Sequence, residues 1–317
     1  LIVLRLVQGF SAGGEFGGAA SLLFEHSTPD KRGLFGSVQP ASIVAALAVS
    51  AGLGTALTSI MSEEFLHSTG WRIPFLLALP LGVIGWYIRR HIDETPAFAQ
   101  MQDEGRVAEH PVRDVFRGHW RMILAGTAAI VSWTAGGYAT LQFLPAFFGG
   151  VLHRPLSEGL TASLVGLTAY AGFIVLGGWL ADRIARWKVM TVGAVGLAVV
   201  AVPGYYLLIQ GGAIRIGVAV VLFAIFLGLT AGPTTAMLSE LIPDNVRASY
   251  LSIVYAVANA AFGGFAPYIV TALISSSGSL LSPAWYLIAL QLCAVGGLIA
   301  VGVHHRNRAR MPAVPVA

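Results

Sequence analysis

The sequence predicts an all-α membrane protein with nine transmembrane helices, and three observations carry that prediction. Hydrophobic residues make up 56% of the 317-residue chain and charged residues only 11%, against about 25% charged in an average soluble domain. Nine apolar stretches, 1–24, 34–60, 72–91, 120–145, 159–181, 189–209, 216–239, 248–275 and 283–303, each approach the ~20 residues that cross a hydrocarbon core. Lipid offers the backbone no hydrogen-bond partners, so these stretches are helices. Threaded alternately, they leave fifteen Lys and Arg on one side and only Arg72, Arg154 and Arg215 on the other. That bias marks the basic side as cytoplasmic. The expected topology is multi-pass in the cell inner (plasma) membrane, with residue 1 outside and the C-terminus in the cytoplasm.

The first stretch contains RLVQGFSAGGEFGG. A charge at the centre of a membrane helix costs about 2.5–3.5 kcal/mol on insertion scales, so Arg5 and Glu15 need partners or a task. They are ten residues apart, roughly 15 Å along a helix, too far to neutralise each other. With Glu25 at the cytoplasmic boundary, Glu15 falls near mid-depth. It is expected either to sense protons or substrate there or to bond a neighbouring helix. Gln8, one turn from Arg5, is expected in the same pathway. Gly9, Gly13 and Gly17 strip side chains from one helix stripe and let another helix approach.

The second and third stretches are joined to the rest by polar connections, and the longest of these, 92–119, is mixed in charge and broken by Pro96 and Pro111. It reads as a cytoplasmic linker carrying a short surface helix. The fourth stretch carries Thr134, Tyr138 and Gln142 at helical spacing, and the eighth carries Tyr255 and Asn259. Polar stripes of this kind face a bundle interior. The fifth ends in GGWLADRIARWKVM, which packs Asp182, Arg183, Arg186 and Lys188 into a very short connection. The sixth, seventh and ninth are apolar throughout, the ninth holding the lone Cys293. The tail after 305 is basic, then proline-containing, and is expected to be disordered.

Several function classes drop out. One cysteine allows neither a disulfide framework nor a cysteine-based metal cluster. The eight histidines fall in loops or at helix ends, and there is no HExxH, no phosphate-binding Walker loop and no GxSxG. No enzyme activity, catalytic residue, metal or cofactor is expected. The net charge of +4 is accounted for by topology, so no nucleic-acid partner is expected.

The chain repeats itself. SLLFEHSTPDKRGLFGS and TAMLSELIPDNVRASYLS both run from a helix-ending glutamate through Pro-Asp to an arginine, and both Glu25/Glu240 and Arg32/Arg247 are offset by 215 residues. Within each copy the carboxylate and guanidinium can clamp two helices. The same offset places a counterpart of the Asp182 motif ahead of Leu1, so three further helices are expected upstream. Two parallel copies imply a pseudo-twofold axis along the membrane normal. The division expected is 1–91 as the remaining three spans of an N-terminal bundle, 92–119 as linker, 120–305 as a C-terminal six-helix bundle and 306–317 as tail.

RLVQGFSAGGEFGGAA, PDKRGLFGS, GWRIPFLLALPLG, DETPAF, GGWLADRIARWK, ELIPDNVRAS and FGGFAP together resemble the metabolite:proton symporters of the major facilitator superfamily, a group with carriers for citrate, α-ketoglutarate, shikimate and osmoprotectants. The resemblance covers nearly the whole chain and implies a helix bundle in which the nine helices correspond to spans 4–12 of twelve. Ala185 and Trp187 stand where that group usually has glycine and a basic residue. The resemblance further implies a substrate and proton pathway including Arg5, Gln8, Glu15, Tyr138, Gln142, Tyr255 and Asn259. It implies a cytoplasmic gate of Glu25, Arg32, Asp182, Arg183, Arg186, Glu240 and Arg247, the aspartate holding a neighbouring helix in the outward-facing state.

The expected function is proton-coupled symport of a small polar metabolite, an organic acid, by alternating access, the partners being substrate, protons and the lipid bilayer and the carrier a monomer. A proline/betaine symporter, an efflux carrier and an inactive fragment are the alternatives.

Overall fold

The computed structural model describes the backbone of residues 2–91, 96–106 and 108–310, and their side chains except at 2–12, 63, 67, 89, 96–98 and 304–310. Nine long helices follow in order: α1 (Ile2–Glu25), α2 (Arg32–Ile60), α3 (Ile73–His91), α4 (Pro111–Gly137), α5 (Leu156–Ala181), α6 (Arg186–Gln210), α7 (Ala213–Ala231), α8 (Arg247–Ala258) and α9 (Ser282–Arg310). Three of them continue beyond a break, α4 through π turns to Val151, α7 as Thr234–Glu240 and α8 to Ser277. Among the described residues, eight helical runs are long and apolar enough to cross a membrane, starting with α2; α1, expected as the first span, has 24 residues but is not among these eight. Short helices Glu63–Ser68 and Pro96–Asp103 lie in the connections, the second being the surface helix expected in the linker. Helix α4 begins at Pro111, inside the stretch expected as linker, and kinks at His119.

Helices α4 to α9 form one bundle, with α4 packed against α8 and α9, and α7 packed against both α5 and α6. Lipid tails are as apolar as leucine, so such contacts rest on close packing rather than on the hydrophobic effect. Ile130, Phe147, Tyr170, Ile174, Tyr205, Phe223 and Tyr250 fill this core with next to no exposure. The two N-terminal helices pack on it separately: α1 runs along α8, and α2 along α5 and the end of α7. Gly17 makes the first contact possible, because a Cβ there would fall onto the Ala248 carbonyl and Ser252. Gly178 makes the second, since a Cβ would lie 2.5 Å from that of Ser37. From Phe75 to Ile88 every described side chain of α3 is exposed, and α3 packs extensively only on the turn Gly70–Arg72 before it.

The breaks in α4 show how the bundle tolerates irregular backbone. Pro145 has no N–H to offer the carbonyl four residues back, at Leu141. The buried Ser163 hydroxyl donates to that carbonyl instead, at 2.7 Å. Within the π turn Tyr138–Gln142 the Ala139 carbonyl accepts from Tyr205 Oη at 2.5 Å. Polar side chains from α5 and α6 thus satisfy the carbonyls that the turn frees, as an apolar interior requires.

Candidate functional site: an ionic latch below an aromatic cavity

Two clusters of polar side chains stand out. The first lies at the end of the bundle where α1 stops and α2, α6 and α8 start. The opening N–H groups of any helix lack intrahelical partners, and Lys31, at the N-cap of α2, supplies no side-chain bond. Asp182, where α5 ends, fills the gap: its Oδ1 accepts from Gly33 N at 2.6 Å and its Oδ2 from Leu34 N at 2.9 Å. The carboxylate also meets the positive end of the α2 dipole. Only glycine permits this approach at position 33, where a Cβ would lie 2.6 Å from Asp182 Oδ1.

Around this cap the charged residues of the repeat meet across the copies. Arg247 NH1 lies 3.4 Å from Glu25 Oε1 and Arg32 NH1 lies 3.8 Å from Glu240 Oε1. The spacing in sequence suggests a clamp within each copy; these two pairs instead run between the copies, because α1 packs on α8 and α2 on the end of α7. Arg186 hydrogen-bonds the other oxygen of Glu240, so one carboxylate holds a guanidinium from each half. The guanidinium carbons of Arg32 and Arg247 both lie over the ring of Phe24, which is 5% exposed, at 4.5 and 4.9 Å from its centroid. Arg183 stays apart from these pairs: it is exposed, lies 3.6 Å over the Trp179 ring and donates to the Trp179 carbonyl.

The loops carry further links. The Thr28 side chain hydrogen-bonds Asp30 and holds its carboxyl below the usual carboxylate range. Arg106 of the linker bridges Glu104 at 2.5 Å and Asp244 at 3.2 Å. Hydrogen bonds from Gln100 and then from Arg106 hold the Glu104 carboxyl below its ordinary pKa.

The second cluster is a cavity of about 30 Å³, room for roughly one water. The expected stripe Thr134, Tyr138 and Gln142 on α4 meets Tyr255 and Asn259 of α8 there, with Ile43, Val44 and Leu47 of α2 closing one side. Trp133 and Tyr170 line it as well, and sequence reasoning missed both: neither falls on a polar stripe, and Tyr170 lies within an apolar run. Tyr255 is stacked on Phe16 of α1, with centroids 3.8 Å apart and planes 4° from parallel, and lies 5.8 Å from Trp133. Glu15, next to Phe16, is exposed and is not among the residues lining the cavity. The side chains of Arg5 and Gln8 lie outside the described residues.

Residues 1–267 match the family model described as Major Facilitator Superfamily. The chain belongs to the major facilitator superfamily. Among curated members, it is 30% identical to the proline/betaine transporter of Escherichia coli K12, over 98% of this chain and 63% of that protein. It is also 30% identical to the citrate-proton symporter of Klebsiella pneumoniae, over 98% of this chain and 69% of that protein. The superfamily fold is equally plain in a double-tryptophan mutant of XylE, with TM-score 0.65 and 18% identity over 89% of this chain and 66% of that one. The chain thus spans about 63% of the length of the proline/betaine transporters it matches.

Proposed function

We propose that this chain carries the gate and most of the substrate path of a proton-coupled symporter for a small, carboxylate-bearing polar metabolite, working by alternating access as a monomer in the inner membrane. The ionic end, with the C-terminus, faces the cytoplasm, as the distribution of basic residues predicts. One observation carries the reading: Asp182 caps α2 from the end of α5 through two hydrogen bonds. Such a contact closes one mouth of a path yet opens at modest cost, since half-exposed charged contacts are individually weak. The relatives named as citrate-proton symporter and proline/betaine transporter support both the coupling and a carboxylate on the cargo.

Glu15, exposed on α1, is the proposed proton-responsive group. The test is uptake into proteoliposomes of a panel of dicarboxylates, tricarboxylates, shikimate and trimethylglycine, with an imposed pH gradient and then with a protonophore. Gradient-driven accumulation that the protonophore abolishes is the expected result. Glu15→Gln should lose uphill accumulation while keeping exchange. Uptake insensitive to the gradient overturns the coupling.

A further inference from the structure

We infer that the groove between the starts of α5 and α7, at the end of the bundle away from the latch, is a seat for one phospholipid with a primary ammonium head group. The groove has a volume of about 520 Å³, within the roughly 300–1,000 Å³ that small-molecule sites occupy. It is polar at one end only. Ser157, Glu158 and Thr161, from the first turns of α5, line its mouth, and Val165, Gly217 and Val220 line it deeper along the two helices. From Pro155 to Val165 it follows α5 for about 15 Å, half of a hydrocarbon core of about 30 Å. A head group at the mouth and an acyl chain below it match both the polarity of the groove and the depth of one leaflet.

The groove opens toward lipid rather than into the bundle. Other sides of α5 are taken: a Cβ on Gly54 or Gly52 of α2 would meet Leu160 or Leu164 at 3.3 Å, and Ser163 bonds the Leu141 carbonyl of α4. Ser157, Thr161 and Val165, each one turn from the next, are exposed on a further side. Gly217 provides the space, since a Cβ added there would meet nothing within 4 Å.

Charge selects the head group. Glu158 is half-buried at the mouth. Arg154, one turn before it, is committed elsewhere, donating to the Ile209 carbonyl at 2.8 Å and the Leu208 carbonyl at 3.4 Å near the end of α6. A lipid ammonium brings a counter-charge and N–H groups that donate to the carboxylate, a charge-assisted bond. A choline head is trimethylated and cannot donate, and a glycerol head carries no cation. The adjoining phosphodiester meets the start of α7, where Gly212 offers no side-chain cap to the opening N–H groups. Binding a lipid requires no transport, so this inference stands or falls apart from the symport reading.

The test is native mass spectrometry of the purified full chain in detergent, titrated with phosphatidylethanolamine, phosphatidylcholine and phosphatidylglycerol that carry the same palmitoyl and oleoyl chains. One phosphatidylethanolamine is retained at a concentration about fivefold below that needed for the other two. Glu158→Gln removes this preference and leaves phosphatidylcholine within about twofold. Gly217→Leu fills the chain seat and weakens retention of all three lipids by roughly fivefold or more. Melting in detergent checks that the leucine is tolerated: phosphatidylethanolamine raises the melting temperature of the original chain, while the leucine variant melts no lower without lipid and gains nothing from it. If the leucine variant misfolds, Glu158→Gln decides alone. Equal retention of the three lipids, a preference for phosphatidylglycerol, a preference that survives Glu158→Gln, or a dimer that Gly217→Leu dissociates overturns the inference.

Discussion

Arg247, the first residue of α8, reaches Glu25, the last residue of α1, at 3.4 Å, so a guanidinium from one copy of the repeat is neutralised by a carboxylate from the other. Arg32 and Glu240 form the reciprocal pair at 3.8 Å. The exchange ties the halves together at one end. It also makes the strength of these pairs depend on how closely α1 approaches α8, the motion on which the proposed alternating access would act.

The crossed pairing has a direct genetic test. Arg247 and Glu25 are both largely buried, with side chains 14% and 12% exposed. Reversing one charge leaves like charges facing each other and should lower thermal stability by about 2 kcal/mol. The double reversal Glu25→Arg with Arg247→Glu should recover at least half of that loss, read by melting in detergent. The double reversal Glu25→Arg with Arg32→Glu, which honours the sequence spacing within one copy, should recover less.

Asp182→Asn keeps the shape of the cap, loses the charge and turns one acceptor into a donor facing a backbone N–H. The capping and dipole contributions lost amount to about 1 kcal/mol. The closed latch should then give way to the open form by roughly fivefold. Spin labels at Thr28 and Lys188, both exposed, should report a longer distance population by pulsed electron resonance. An unchanged distance distribution would remove Asp182 from gating.

Helix positions were legible because a membrane helix announces itself by composition alone, without any need to know its neighbours. Gly13 and Gly17 also announced a close helix contact, and Tyr138, Gln142, Tyr255 and Asn259 announced one shared interior, since helical spacing decides which residues share a face. The partners across helices were not legible. Glu25 and Arg32 are seven residues apart in sequence, which suggests a local clamp, and only the packing of α1 on α8 reveals the pairing with Arg247. Phe24 and Trp133 look like any apolar residue until a guanidinium or a cavity is set beside them.

The backbone break in α4 gives a prediction about stability. Ser163 donates to the Leu141 carbonyl that Pro145 leaves without an amide partner. Ser163→Ala should cost about 1 kcal/mol. Pro145→Ala restores an N–H four residues after Leu141, so in that background the same serine substitution should cost less than half as much. A double-mutant cycle on thermal unfolding in nanodiscs measures the difference; additive effects would show that serine and proline act independently.

The pH dependence of transport should not pass through the linker. Glu104 is held below the usual carboxylate pKa by Gln100 and Arg106, so its contribution is complete above the unfolded carboxylate range, near 4.3. That contribution is lost only as pH falls through the lowered folded value. Between pH 5 and 8 Glu104 therefore stays ionised, and its bridge through Arg106 to Asp244 stays formed. Glu104→Gln should leave the pH profile of uptake unmoved in that window, whereas Glu15→Gln should flatten it. The two carboxylates differ in what surrounds them: Glu104 sits among donors that favour its charge, while Glu15 lies on α1, in the proposed proton path. A profile that moves with Glu104→Gln and not with Glu15→Gln would transfer the coupling from the first helix to the cytoplasmic linker.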